Sequence, residues 1–400
     1  MGRHEAAPTR RRRRWPRRLL FGVRALVVLF YAGGGWYFSS VIDQRALDGA
    51  ERRASLDPEY DVVVTSAADG QVTIARGSEW PDELTTPGLW GLRWDGGYGQ
   101  LGDIVASGEG DQVTRELTVI DGSPPAAGSP AEVDPRAYPS IESTGLRSRD
   151  LSVPGPLGDY PAWFVNGKDL PLVIVVHGNS MSRLDNVRLL PALHRAGFPT
   201  LSITYRNDEG APEDPSGKLR YGLTEWEDLE AAVRFAEGHT SRGVFLMGDS
   251  MGGGVIASFL QRSDLARLVD AVVLDAPMLD FSSTVDDNAS REPLVGSVKL
   301  PSSLTYVAKQ LAAWRFGVDW DQLNYLADTS RYDVPFLVFH GEQDTTVPIS
   351  TSEAFAQARP DIVTLARCPG VDHIECWNLD PGAYERQMLR FLRDAVPPAA

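Results

Sequence analysis

The sequence predicts an α/β fold: a doubly wound, mostly parallel sheet, preceded by a transmembrane helix and a small β-rich module. Three observations predict it. From about residue 140, short apolar runs alternate with stretches of helical spacing, the pattern of a sheet covered by helices on both faces. Near the N-terminus, Ala25 to Ile42 forms 18 residues without a charge. Between these regions lie β-rich runs broken by turn residues.

The basic head comes first. Up to residue 24 there are nine Arg against one acid, Glu5, so the remaining chain carries 30 basic and 53 acidic groups. An acidic body of that size repels nucleic acid, and no nucleic-acid partner is expected. Residues 1–18 read as a cytoplasmic head and 19–42 as a signal-anchor. The 18 uncharged residues span about 27 Å as a helix, and Leu19 to Val23 supply a further turn if Arg24 snorkels. Trp36 and Tyr37 suit the far interface, whereas Gly33-Gly34-Gly35 is expected to weaken the helix. Arginines on the N-terminal flank put that flank in the cytoplasm and the rest outside, at the cell membrane. A cleaved signal peptide is the alternative, although no clean A-x-A site is present.

Residues 43–121 read as a linker and the small β-rich module. Asp61 to Thr65 and Gln71 to Ala75 flank an Ala-Asp-Gly turn, and further strands are expected at 88–94, 102–106 and 114–120. Trp80, Trp90 and Trp94 suit either a stacking surface or, more simply, the packing of a small sheet. Residues 122–139, rich in Pro and Gly, read as a linker. Residues 140–397 carry the main domain. Strands are expected at Leu172 to Val176, Pro199 to Tyr205, Gly243 to Met247, Val269 to Leu274, Pro335 to Phe339 and Val363 to Ala366. Helices fall at Leu184 to Ala196, at Thr224 to Glu237 with Thr224 and Glu227 spaced as a capping box, around Val255 to Gln261, and at Pro381 to Ala395. Residues 281–330 break the alternation as an insertion, with a helix near Leu304 to Phe316.

The chemistry centres on Gly248-Asp249-Ser250-Met251-Gly252. It follows an apolar strand and opens a helix, the setting in which a sharp turn lifts a serine hydroxyl clear of the sheet. A serine needs a base held by an acid. Two histidines follow Ser250. His340 ends a strand, a structural position, whereas His373 lies in a loop after the last strand and is the candidate base. Asp344, after the preceding strand, is the candidate acid, with Asp275, Glu342 and Asp372 as competitors. Two backbone N–H groups are needed for an oxyanion, from Met251 and from Asn179 in His177-Gly178-Asn179-Ser180. His177 reads as part of a tight glycine turn, with a catalytic or metal role as the alternative.

On these motifs, together with Gly341-x-x-Asp344-x-x-Val347-Pro348 and Asp372-His373, residues 141–395 resemble an α/β-hydrolase. They are most similar to the branch holding monoacylglycerol lipases, Bem46-like hydrolases and S9/S33-type serine peptidases. The resemblance implies ester, thioester or amide hydrolysis through an acyl-enzyme, with no cofactor and no metal, on a small-molecule ester or acyl substrate. Tyr205-Arg206-Asn207-Asp208 departs from the glycine-rich loop common at this point among Bem46-like members. A peptidase or amidase, an acyltransferase, and a non-catalytic envelope-binding protein with the same fold are the rival readings. Cys368 and Cys376, the only cysteines, flank His373 and are either a disulfide or two buried thiols.

Overall fold

Alternating apolar positions in residues 62–134 build a barrel. A computed structural model describes residues 15–49, 60–79, 81–108, 111–239 and 242–396, so residues 1–14 of the expected head 1–18, and Trp80, lie outside the described residues, and the helix begins within that head, at Trp15. Six antiparallel strands, β1 (Val62–Ala68), β2 (Gln71–Arg76), β3 (Trp90–Trp94), β4 (Gly97–Ser107), β5 (Gln112–Gly122) and β6 (Pro130–Asp134), close in the order β1-β2-β5-β4-β3-β6. Asp69 and Gly70, both at positive φ (53° and 73°), make the two-residue turn between β1 and β2. Val64, Val72, Ile74, Trp90, Leu92 and Leu101 fill the interior with no exposed surface. Trp90 and Trp94 are therefore packing residues, and their indole N–H groups donate to Thr86 O (3.2 Å) and Ser123 O (2.9 Å).

The stretch read as a linker, 122–139, is corrected here. It contains β6, which pairs with β1 and β3 and closes the barrel. Proline at the first position of a strand is tolerated because little of the ladder needs its missing donor. Asp134 at the strand's end receives Arg93 (3.0 Å) and Arg136 (3.0 Å).

Arg115 on β5 is fully buried without a carboxylate. Its guanidinium instead donates to the carbonyls of Glu83 (2.8 Å), Leu84 (3.2 Å), Thr86 (3.0 Å), Gly88 (2.8 Å) and Gly102 (2.7 Å). It thereby organises the whole β2–β3 connection and satisfies carbonyls that a loop turned inward would otherwise orphan. Burial pulls its pKa down to about 10, against the raising influence of Asp103.

The main sheet has eight strands, in the order β16-β15-β12-β11-β9-β10-β8-β7. They are β7 (Ser148–Gly155), β8 (Gly158–Val165), β9 (Leu172–Val176), β10 (Thr200–Ile203), β11 (Val244–Asp249), β12 (Val269–Asp275), β15 (Phe336–Gly341) and β16 (Val363–Cys368). β13 (Pro293–Val295) and β14 (Val298–Lys299) form a separate hairpin in the insertion. The strands from β9 to β16 run parallel, and the β7–β8 hairpin joins antiparallel through β10. All five residues of β9 and all six of β11 are buried, as the apolar runs Leu172–Val176 and 244–247 require.

Two local expectations change. The helix expected over 184–196 is a 3-10 segment, Arg183–Leu189, followed by the helix Leu190–Ala196, with Ser182 and Asp185 making a capping box. At the next helix, Trp226–Glu237, no capping box forms at Thr224. Glu225, fully buried, instead takes the N–H groups of Arg220 (2.7 Å) and Gly222 (2.9 Å).

The chain divides into two units: residues 1–44 with 289–318, and residues 45–288 with 319–400. In the first, the helix Trp15–Ile42 runs unbroken through Gly33-Gly34-Gly35. A Cβ on Gly34 would meet Leu304 at 3.1 Å and one on Gly35 would meet Val307 at 2.6 Å. These glycines let the helix Ser302–Phe316 pack closely, so tertiary contact offsets their poor helix propensity.

Arg115→Met leaves five carbonyls without their donor. It is expected to destabilise the barrel by about 3 kcal/mol or more, read as a lower urea midpoint in tryptophan fluorescence.

Candidate active site

Parallel strands place every loop that follows them at one edge of the sheet, and the site is built there. Ser250 follows β11 with φ 49° and ψ −116°, a strained left-handed-side conformation for a serine. The flanking glycines are required sterically. A Cβ on Gly248 would lie 2.6 Å from Ile256 Cδ1, and one on Gly252 would run into the carbonyl oxygen of Val176. The Ser250 N–H donates to Asp275 O (2.9 Å), and its carbonyl accepts from Gly253 (2.9 Å) and Met278 (2.9 Å). The turn is thus bolted to the neighbouring strand end.

Asp344 and His373 come together one and two strands further on. His373 Nδ1 lies 2.7 Å from Asp344 Oδ2. Every lone pair of this carboxylate is used. Oδ1 accepts from the N–H groups of Thr346 (2.8 Å) and Val347 (2.7 Å), and Oδ2 also faces His340 Nε2 at 3.2 Å. Burial alone would push the Asp344 pKa up. Hydrogen bonds from His340 and His373, the His373 charge and the Val347 N–H hold it well below the ordinary carboxylate range. His340 itself is buried between Ser352 Oγ (2.8 Å) and Val347 O (3.0 Å). Among the described residues no hydrogen bond joins Ser250 to His373.

None of the competing acids takes the place of Asp344 beside His373 Nδ1. Asp372 holds the acid loop, accepting from Thr345 N (2.6 Å) and Thr345 Oγ1 (2.8 Å). Glu342 is exposed on the side of Arg367. Asp275 is buried at the end of β12, and no hydrogen bond joins its carboxylate to His373. Its pKa is raised by burial, and the charges of Arg188, His340 and His373 oppose the rise. Neighbouring Asp249 is pushed up to about 7 by burial, opposed by Arg188 and reinforced by Asp275.

The candidate oxyanion donors sit across a tight contact. A Cβ on Gly178 would lie 3.0 Å from Ser250 Cβ, so only glycine lets the β9 loop approach the elbow. Met251 opens its helix, where the first N–H groups have no intrahelical acceptor. Among the described residues the Asn179 backbone N–H makes no hydrogen bond, while its side-chain amide donates to Tyr221 Oη (3.2 Å). The loop is braced from behind by residues that the sequence pattern did not single out as functional. His177 is fully buried, with Nε2 2.8 Å from Asp208 Oδ2 and its ring stacked on Tyr205 at 4.5 Å. Tyr205 Oη donates to Gly178 O (3.1 Å) and His177 O (3.2 Å). Arg206 is locked bidentately to Asp228 (2.8 and 2.9 Å). The only signal for this bracing was that Tyr205 to Asp208 replaces a glycine-rich loop. A cavity of about 440 Å³ opens beside the loop, lined by His177, Met181, Trp163, Arg183, Asp208 and Glu209 among others.

The histidine loop is held at both ends. Cys368 and Cys376 are disulfide-bonded with Cα atoms 5.5 Å apart, which closes the question of their state. Just beyond, Asn378 is fully buried in the short helix Cys376–Leu379. Its Nδ2 donates to Leu89 O (2.9 Å) and Pro135 O (2.8 Å) of the barrel, and its Oδ1 accepts from Arg188 (2.7 Å). Arg188 also donates to Ile374 O (3.1 Å), next to His373. Glu375 in the same loop is pushed up to about 7 by burial and by the charges of Glu83, Asp372 and Asp344. Among the described residues no three His, Cys, Asp or Glu side chains converge in a way that suits a metal ion.

Comparison with known proteins bears on both parts of the larger unit. Residues 63–134, the barrel, match a family model described as a domain of unknown function (DUF8805). The uncharacterized protein YqkD of Bacillus subtilis strain 168 is 24% identical over 246 residues, 60% of this chain and 77% of that protein. The uncharacterized protein Rv2307c of Mycobacterium tuberculosis H37Rv is 27% identical over 266 residues, 64% of this chain and 84% of that protein. Among solved structures, the Pyrococcus furiosus esterase Pf2001 superposes with a TM-score of 0.53 at 18% identity, over 64% of this chain and 95% of that one. The main sheet and its helices therefore have the α/β-hydrolase fold.

The raised pKa of Asp249 has a stability consequence. The folded state holds this proton up to about pH 7, whereas the unfolded chain releases it near pH 4. Its contribution is complete below the unfolded value and is lost as pH rises through 7. Asp249→Asn should therefore gain stability over wild type between pH 5 and pH 8 by roughly 1–3 kcal/mol, measured by thermal unfolding at each pH.

Proposed function

We propose that this protein is a membrane-anchored serine hydrolase of carboxylic esters. The observation that carries the reading is the 2.7 Å contact between His373 Nδ1 and a fully bonded Asp344, at the same sheet edge as the strained Ser250 turn.

Each group then has one task. Asp344 keeps the Nδ1 proton of His373 in place, so that Nε2 is the free base. Nε2 takes the Ser250 proton as Oγ attacks the ester carbonyl. The oxygen that gains charge is met by the N–H groups of Asn179 and Met251, fixed in advance by Tyr205 and by the helix start. Collapse expels the alcohol, whose oxygen receives the proton from His373 Nε2. Water, deprotonated by the same nitrogen, then attacks the acyl-enzyme and releases the acid and Ser250. The chemistry uses side chains, two backbone N–H groups and water. Transfer of the acyl group to an amine or a second alcohol would use the same groups, and the choice among them lies in the pocket.

The membrane part rests on the helix Trp15–Ile42. A window within it has mean hydropathy 1.5, and 11% of that window is buried. Leu26, Val28 and Leu29 are 69, 65 and 67% exposed, unlike the core helix of a soluble protein. The arginines before it favour a cytoplasmic N-terminus, with the enzyme domain outside at the cell membrane.

Ser250→Ala is expected to abolish labelling by a fluorophosphonate probe and to lower kcat on p-nitrophenyl esters by about 10⁴-fold or more. Labelling that persists in the variant would move the nucleophile elsewhere. Faster turnover of aminoacyl anilides than of any ester would replace esterase by peptidase. Asp344→Asn should cost about 10³–10⁴ in kcat, while activity that survives it but collapses with Asp275→Asn would transfer the acid's role.

A further inference from the structure

Exposed large apolar side chains are unevenly distributed in this protein. Among the described residues, those more than about a third exposed are concentrated in the smaller unit. Most belong to the span between Leu20 and Tyr37. The others in that unit lie in the insertion: Val295 (74%), Val298 (59%), Tyr306 (63%) and Trp314 (75%). An insertion in an extracytoplasmic domain has no folding reason to turn a tryptophan and a tyrosine outward.

The neighbour of these residues decides what covers them. The helix Ser302–Phe316 lies along the last turns of the apolar span. Ser303 Oγ meets Tyr31 Oη at 2.7 Å. Leu304 packs on Gly34, and Val307 and Leu311 on Gly35. Arg315 bonds Trp36 O (3.0 Å) and Ser40 Oγ (2.9 Å), with its guanidinium 3.9 Å from the centre of the Trp36 ring. The helix therefore occupies the same depth as residues 31–40. Its charges suit that position. It contains no acid, Lys309 is 8% exposed, and Arg315 is turned onto the span. Trp314, adjacent to Arg315, shares the level of Trp36 and Tyr37, where aromatic side chains favour a lipid headgroup boundary.

We infer that the helix 302–316 and the hairpin 293–299 form a second membrane contact, with Tyr306 and Trp314 seated in the leaflet into which the N-terminal helix emerges. The partner is a lipid surface. This rests on the anchor reading above, because the depth of the insertion is set by the span it packs against. The insertion thus adds a second element to the attachment made by the N-terminal helix.

The test uses the full-length protein in phosphatidylcholine vesicles. Its two cysteines are tied in a disulfide, so one introduced cysteine can carry an environment-sensitive nitrobenzoxadiazole label. Three variants are compared: Trp314→Cys, Leu26→Cys in the span, and Leu157→Cys in the β7–β8 turn. Doxyl-labelled lipids should quench the labels at 314 and 26 roughly two-fold more than the label at 157, and iodide in the water should show the reverse order. If the label at 314 behaves like that at 157 while that at 26 stays lipid-quenched, the second contact is wrong and the anchor stands. If the label at 26 is also quenched from water, both fall. If the label at 314 is shielded from iodide yet not quenched by lipid, protein covers it, as in a second copy of the chain, and the inference is overturned.

Discussion

A buried amide is central to the joint between the two folded parts of the larger unit. Asn378 gives both protons of its NH₂ group to barrel carbonyls, at Leu89 and Pro135, and offers its oxygen to Arg188. The Leu89 N–H returns a bond to the Asn378 carbonyl (2.8 Å), and Gly88 has no Cβ because that carbonyl occupies the space. Each of these groups is withdrawn from water, where an unmet donor or acceptor costs about 1–3 kcal/mol. The barrel therefore cannot drift without disturbing the segment five residues from His373. It acts as part of the scaffold for the histidine loop. Glu83 in the barrel also raises the pKa of Glu375 in that loop through charge, a second link across the same junction.

Electrostatics at the sheet edge follow one plan. The carboxylate that meets the imidazole is given every hydrogen bond it can accept and stays ionised. For two other buried acids, Asp249 and Asp275, burial raises the pKa and the charge of Arg188 opposes the rise. Arg188 thus serves the joint, the loop carbonyl of Ile374 and the buried acids together. Part of the backbone strain falls at the same place. Ser180, Ser250, Ala276 and Ile374 all have φ between 46° and 61°, and each lies at or beside a loop that builds the site. Strain of this kind persists where surrounding contacts over-determine the conformation.

Much of this was legible in the residues. Unbroken apolar runs of five or six residues predict the parallel strands, because a strand covered on both faces leaves no polar position. Gly248-x-Ser250-x-Gly252 is legible because its glycines answer a local steric demand. What escaped depends on partners far away in sequence. Residues 122–139 look like a linker because proline and glycine dominate, yet five of them make the strand that closes the barrel, a fact decided by β1 and β3. Gly33-Gly34-Gly35 reads as a weak point until Leu304 and Val307 arrive about 270 residues later. Thr224 and Glu227 have capping-box spacing, but Glu225 was drawn to the 220–222 turn and Glu227 to Arg206. Asn378 has no local signature at all. Its importance comes from the burial that makes each of its hydrogen bonds compulsory.

The cystine at the edge of the sheet carries a further implication for where the molecule matures. Thiols pair durably only in oxidising surroundings. With its two halves eight positions apart in sequence, the link ties down only the short turn that bears the imidazole. Under the outward topology, a freshly made chain still inside the cell would own every side chain of the site and lack this one restraint. Export would then do more than deliver the protein: it would complete it, leaving copies stranded among cytoplasmic reductants with a looser base.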